Sequence, residues 1–251
     1  MVEPKVDMDF VRETWEVPSH ISDYVTAVDK VGLWESERIL VSKSFSEDDQ
    51  ILDIGCGAGR TTIALYRLGY LNVQGVDLSK GMIQQAVSLA ERAGCPIPFK
   101  VGDATSLRYG NETFDGALFS AQGFMCIPGA RQRLRAIGEV RRVLRPGGHF
   151  ILTTHDRHEA PEFASFWDEE KARWERGTQD QRLLDFGDRI IMDSGTWTYV
   201  HIPARDEVAK MVQEAGMVLV EDSMRSELSR ESEAVQWFST DCRMWVLRRP
   251  R

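Results

Sequence analysis

The stretch Ile51–Thr62, which reads ILDIGCGAGRTT, constrains the fold more than any other part of the chain. An apolar run of strand length meets glycines at alternate positions, and a helix-like pattern starts at Arg60. Glycine enters left-handed backbone conformations at little cost, so this run marks a strand that turns sharply into a helix. The same rhythm recurs downstream. Gln50–Ile54, Asn72–Asp77, Pro98–Val101, Phe114–Ser120 and His149–Thr154 read as strands. Glu37–Phe45, Arg60–Leu68, Gly81–Ala93 and Arg131–Leu144 read as helices, with stops at Gly69, at Gly94 and at Arg145-Pro146-Gly147-Gly148. Strands that are apolar throughout, separated by helices, predict an α/β fold with a doubly wound, mostly parallel sheet covered on both faces.

After His155 the rhythm breaks. Glu159–Arg176 reads as an aromatic-rich helix, and Arg189–Asp193 with Thr196–Ile202 as a hairpin split by Ser194-Gly195. A helix over Ala204–Ala215 and strands at Met217–Asp222 and Arg243–Arg248 then resume the sheet. The expected organisation is an N-terminal lid segment (1–36), a ligand-binding core (37–155), a helix-plus-hairpin insertion after strand five (156–202) and a C-terminal part of the core sheet (203–251). Loops beyond strand C-termini are where such sheets bind ligands, so the insertion is well placed to enclose a substrate. At 251 residues the chain suffices for one domain with such an insertion. A net charge of −8 disfavours nucleic acid or an anionic membrane as partner. Cys56, Cys95, Cys126 and Cys242 are scattered without a paired motif, which points to reduced thiols and no metal site. The N-terminal stretch is acidic and lacks the pattern of a secretory signal, and no apolar run approaches the roughly 20 residues that span a bilayer. A cytoplasmic location is expected.

The turn itself restricts its ligand. The third glycine of the dinucleotide fingerprint would fall at Arg60, and the Gly-Lys-Ser/Thr triplet of a phosphate-binding loop is missing. Asp53 precedes the glycines, and a carboxylate repels a pyrophosphate but attracts an ammonium group. Asp77 ends the second strand, where a carboxylate can accept both hydroxyls of a ribose. Asp103, just after the third strand, is an acceptor suited to an adenine amino group. Phe114–Ser120 opening into Ala121-Gln122-Gly123-Phe124, and Val143–Gly148, complete the set.

In this order and at these intervals the five signals resemble those of a class I, Rossmann-like methyltransferase that uses S-adenosylmethionine and releases S-adenosylhomocysteine. The resemblance is close over residues 37–155 and looser over the last two strands. It implies a seven-stranded sheet whose last strand runs antiparallel to the rest. It also implies that Asp53, Gly55 and Gly57 hold the methionine part of the cofactor and that Asp77 holds the ribose. Leu78 and Met82 would flank the adenine, Asp103 and Ala104 would meet its amino edge, and Ser120 and Gln122 would lie near the methyl group.

The acceptor side is read from isolated residues. Alternation over Thr196–Ile202 puts Trp197, Tyr199 and His201 on one hairpin face, and His155 ends the fifth strand. His155, Tyr199 and His201 are the catalytic candidates and Trp197 is a substrate-side aromatic; the resemblance, in which an N-terminal segment folds over the cofactor and adds aromatics to the pocket, implies Tyr24 and Trp34 beside it. Arg131, Arg133, Arg135, Arg141, Arg142 and Arg145 are expected on a solvated helix face. The expected activity is methylation of a small molecule at O, N or C. The alternatives are a tRNA methyltransferase and a cofactor-binding module without catalysis. Ser-Ala-Gln at the end of strand four, in place of Asn/Asp-Pro-Pro-Tyr, counts against DNA bases and glutamine amides as acceptors.

Overall fold

A computed structural model describes residues 5–193 and 195–251. Residues 1–4 of the expected lid and Ser194 of the expected hairpin turn lie outside the described residues. Five strands, β1 (Ile51–Ile54), β2 (Val73–Asp77), β3 (Phe99–Val101), β4 (Phe114–Phe119) and β5 (Leu144–Thr154), run parallel to one another. With β8 (Val218–Met224) and β9 (Arg243–Arg248) they form a seven-stranded sheet in the order β3-β2-β1-β4-β5-β9-β8. β9 is antiparallel to both of its neighbours, which is the expected reversal of the last strand. β6 (Asp188–Asp193) and β7 (Thr196–His201) pair apart from the sheet as the expected hairpin. The reversal of strand order between β1 and β4 opens a crevice at the strands' C-terminal ends, the usual binding place in such sheets.

Helices α3 (Glu35–Ser44), α4 (Arg60–Arg67), α5 (Lys80–Arg92), α6 (Ala130–Val143) and α8 (Arg205–Glu214) cover the two faces. On one face Phe114, Phe150 and Trp245 pack against Ile137 and Val140 of α6 and Val208 of α8. On the other, Ile51, Leu118 and Ile151 pack against Leu40 and Val41 of α3 and against Trp34. Each such side chain, fully buried, contributes roughly 1.5–3 kcal/mol. No helix among the described residues is long and apolar enough to cross a membrane.

Two departures from the expected elements have local causes. Strand five starts at Leu144 rather than His149, so Arg145–Gly148 belongs to the strand instead of a stop. Gly147 at φ +87° and a register shift between Phe114 and Gly116 absorb the irregularity. Arg133, expected in solvent, is fully buried. Its guanidinium donates to the Ile127 carbonyl at 3.1 Å and to Asp185 at 2.9 Å, and carboxylates of the insertion replace the water it leaves.

The N-terminal segment is helical. α1 (Met8–Trp15) is capped by Asp7, whose carboxylate accepts the Phe10 N–H at 2.9 Å, and α2 (Pro18–Lys30) begins at a proline. α1 lies against β7, with Thr14 Oγ1 donating to the Trp197 carbonyl at 3.2 Å. α7 (Ala164–Arg176) precedes the hairpin, and α9 (Arg225–Leu228) and α10 (Glu233–Phe238) join β8 to β9.

One buried ion pair ties these parts to the glycine turn. Glu37 of α3 receives both guanidinium nitrogens of Arg60, at 2.8 and 2.7 Å, as well as the Trp34 N–H at 2.9 Å and the Ser120 hydroxyl. The Trp34 ring is sandwiched between the Arg60 and Arg225 guanidinium groups, at 5.0 and 4.9 Å. Removing one partner of such a pair strands the other charge, at a cost of about 3–5 kcal/mol. Arg60→Met is therefore expected to lower the urea-unfolding free energy by about that amount. Adding Glu37→Leu restores part of it, so the two losses are strongly non-additive. Additivity within about 0.5 kcal/mol contradicts this account.

Candidate active site

A cleft open at its mouth lies over the C-terminal ends of β1, β2 and β4. Gly55 and Gly57 form its floor, both left-handed, at φ +62° and +54°. A Cβ at Gly55 would stand 2.5 Å from the Phe119 ring, and one at Gly57 would stand 3.1 Å from Tyr24. These positions accept only glycine without rearrangement. Asp77 lies at the junction: one carboxylate oxygen accepts the Gly57 N–H and the other the Ser79 N–H, each at 2.8 Å. Burial pushes its pKa up to about 6, against the opposing pull of those backbone donors.

The structure brings Gly55, Gly57, Asp77, Leu78, Met82, Ala104, Ser120 and Tyr24 together on the cleft lining. Asp53 sits behind the turn, 1% exposed, accepting the Thr62 hydroxyl at 2.6 Å. Burial raises its pKa to about 7, opposed by the Thr62 hydrogen bond and the Arg60 charge. Asp103 is off the lining, one of its oxygens accepting the Thr105 N–H and hydroxyl at 2.7 Å, while Gly102 and Ala104 beside it are on it. Gln122 is also beside the cleft rather than on it. Its backbone N–H donates to Thr153 Oγ1 at 2.9 Å, and its side-chain carbonyl accepts the Ser239 hydroxyl at 3.3 Å. Ala121 and Gln122 both hold positive φ, at 47° and 57°. Such conformations cost of order 1–3 kcal/mol each and collect at functional sites.

Of the expected catalytic and substrate-side residues Tyr24 lies on the lining, and the others are placed elsewhere for physical reasons. Trp34 is fully buried as the ring between two arginines. Trp197 is 55% exposed on the hairpin, off the lining. His155 donates a ring N–H to the Asp241 carbonyl at 3.1 Å, and burial pulls its pKa below the ordinary value. Tyr199 and His201 belong to a buried polar network. The Tyr199 hydroxyl donates to Asp188 at 2.7 Å, and His201 is held between Asp188 at 2.7 Å and Glu207 at 2.6 Å. Burial alone would raise the Asp188 and Glu207 carboxyls, but His201, Tyr199 and the Asp185 backbone together hold Asp188 below its ordinary value, and His201 with the Arg157 and Arg133 charges does the same for Glu207. Both imidazole nitrogens thus face carboxylates. The network fastens the hairpin to α6 and α8 through Arg133, and Tyr199 packs behind Val11, Leu78 and Cys126.

Met8, Val11 and Trp15 of α1 line the cleft although sequence reasoning passed over them. The signal was present: Asp7 is a helix cap, and Met8, Val11 and Trp15 fall at helical spacing on one face. No cluster of three or more metal-ligating side chains occurs among the described residues.

The fit to S-adenosylmethionine can be judged from these groups. A carboxylate for ribose hydroxyls, two apolar side chains beside it and a glycine floor that side chains would fill suit its parts. Comparison with known proteins agrees. Residues 51–148 match the family model described as a methyltransferase domain. Over 158 residues the chain is 31% identical to demethylmenaquinone methyltransferase of Symbiobacterium thermophilum, covering 59% of this chain and 60% of that one. The chain spans about half the length of the curated relatives it matches. Among solved structures, the [4+2]-cyclase SpnF superposes with a TM-score of 0.70 at 17% identity, covering 100% of this chain and 99% of that one. The 1,6-didemethyltoxoflavin-N1-methyltransferase of Burkholderia thailandensis, with bound 1,6-didemethyltoxoflavin and S-adenosylhomocysteine, has a TM-score of 0.58 at 18% identity and covers 93% and 88%.

The pKa of Asp53 carries a stability consequence. A carboxyl raised from about 3.8 to about 7 contributes stability that is complete below pH 4 and lost as pH rises through 7. Between pH 5 and 8 the loss is on the order of 2–3 kcal/mol. Urea unfolding at the two pH values is expected to show wild type losing that much relative to Asp53→Asn. Parallel pH slopes for the two proteins contradict the burial argument.

Proposed function

We propose that the chain, whose residues 51–148 match a methyltransferase-domain family model, moves a methyl group from S-adenosylmethionine to a small-molecule acceptor. The observation that carries this is the coincidence of the family match with the cleft at β1, β2 and β4, where Asp77 both fastens the glycine turn and lines the cavity. Gly55 and Gly57 let the backbone approach the methionine part, with Asp53 acting from behind as the group that fixes the turn through Thr62. Asp77 accepts the ribose hydroxyls, Leu78 and Met82 flank the adenine, and Ala104 stands at its edge. Ser120 lies toward the methyl-bearing end. The bound sulfonium supplies an already activated methyl group, so the protein's work is to align the acceptor and exclude water. Positioning of this kind can supply about 7–11 kcal/mol of barrier.

The N-terminal segment (1–36) acts as the lid: Trp15 and Tyr24 lean over the cleft from α1 and α2. The insertion (156–202) supports α1 from behind through β7 rather than contributing a base. The curated relative's demethylmenaquinone and the bound ligand of the Burkholderia enzyme support a small acceptor. We further infer a cytoplasmic location, which four free cysteines support.

Calorimetric titration with S-adenosylhomocysteine tests the reading. Hydrogen bonds to a charged group are worth about 1.5–3 kcal/mol, so Asp77→Ala is expected to weaken binding by about tenfold or more. Because the Asp77 carboxyl titrates near 6, wild-type affinity should fall as pH drops from 7 to 5, and Asp77→Asn should flatten that slope. Absence of binding to wild type at neutral pH sinks the proposal.

A further inference from the structure

We propose that α1 is the gate through which S-adenosylmethionine and S-adenosylhomocysteine exchange, and that Glu16 is the positioning residue that clamps it shut. The inference rests on the methyltransferase reading of the cleft and deepens it, from what is bound to how it enters and leaves.

α1 brings Met8, Val11 and Trp15 to the same lining as Asp77, Leu78 and Met82. α2, by contrast, belongs to the core: Val28 is buried in one cluster with Ala58, Ile63 and Leu89. Only Glu16 and Val17 join the two helices. Val17 is extended, at φ −67° and ψ 130°, as the residue before a proline is constrained to be. The direction in which α1 leaves α2 is therefore set at Glu16.

The half-buried Glu16 fastens that joint to α5. Its carboxylate accepts the Lys80 N–H at 2.5 Å and the Gly81 N–H at 3.1 Å. These are donors that the first turn of a helix leaves unsatisfied, at the end where the helix dipole favours a negative charge. Gly81 is shaped for the contact. A Cβ there would stand 2.5 Å from Ile21 Cδ1 and 2.8 Å from Glu16 Oε2. Its φ is not positive, so what the missing side chain provides is room for the clamp. On its other side α1 is tied to the insertion, where Thr14 Oγ1 donates to the Trp197 carbonyl and the Val6 N–H to the Arg182 carbonyl at 3.0 Å.

Glu16 and Gly81 are both off the cleft lining, so neither touches the ligand. The clamp joins protein groups only, and it acts on the free and the bound protein alike. It lowers the open fraction of both, which slows entry and exit together and leaves their ratio nearly unchanged. A residue that only shaped the binding surface would change affinity through the dissociation rate.

Stopped-flow tryptophan fluorescence with S-adenosylhomocysteine separates the two cases, because the dependence of the observed rate on ligand concentration gives both rate constants. Loss of a hydrogen bond to a charged group shifts an equilibrium about tenfold or more. In Glu16→Ala both rate constants are therefore expected to rise about tenfold, with Kd moving by less than about threefold. Glu16→Gln, which keeps an acceptor oxygen without the charge, should fall between that variant and wild type. Gly81→Val crowds the seat of an intact Glu16 and should reproduce the Glu16→Ala pattern, which keeps the test open if Glu16→Ala fails to fold. Wild-type rate constants in these variants, or a faster dissociation matched by an equal loss of affinity, overturn the proposal. If S-adenosylhomocysteine does not bind the wild-type protein, the methyltransferase reading falls and the gate with it.

Discussion

The hydrogen bonds made by Asp77 hold the binding end of the sheet together. One carboxylate takes the Gly57 N–H of the turn after β1 and the Ser79 N–H at the start of α5, so two adjacent strand ends are locked to each other. The same group lies on the cleft, and its raised pKa marks a charge held partly out of water. A buried carboxylate with unused lone pairs is stabilised by further donors, and vicinal hydroxyls provide two. Structure and ligand preference thus meet in one side chain.

Around that junction the protein keeps its binding surface rigid from behind. Asp53 and Thr62 brace the turn, and the Glu37–Arg60 pair fixes α4 against α3 and Ser120. The Asp188–His201–Glu207 network anchors the hairpin on which α1 rests. None of these charges lies on the cleft. They act through the backbone they hold, and this explains why several ionisable residues that looked chemical in the sequence are structural.

The sheet was legible because each strand is a short apolar run between glycine or proline stops, as in Ile51–Ile54 and Phe114–Phe119. Gly55, Gly57, Asp77 and Leu78 were legible as neighbours on one cleft because they sit at strand ends, where spacing along the chain translates directly into place. Asp53 was located to the end of β1 and Asp103 to the loop after β3, but spacing does not say which way a carboxylate turns, and nearby Thr62 and Thr105 hydroxyls claim them. The acceptor side was least legible. Period-two alternation on the hairpin correctly grouped Tyr199 and His201, yet only the long-range partners Asp188, Glu207 and Arg133 decide that this face is buried. Trp34 likewise reads as a free aromatic until Arg60 and Arg225 close over it.

The fold alone leaves the chemistry open, since a [4+2]-cyclase shares it across the whole chain, and function lies in the site grafted on it. The most direct test of the central claim is a crystal structure of the protein grown with S-adenosylhomocysteine. It should show the ribose hydroxyls on the Asp77 carboxylate, the adenine between Leu78 and Met82, and the sulfur facing Trp15 and Tyr24. A ligand bound away from Asp77, or a cleft that stays empty at saturating ligand, would contradict the account.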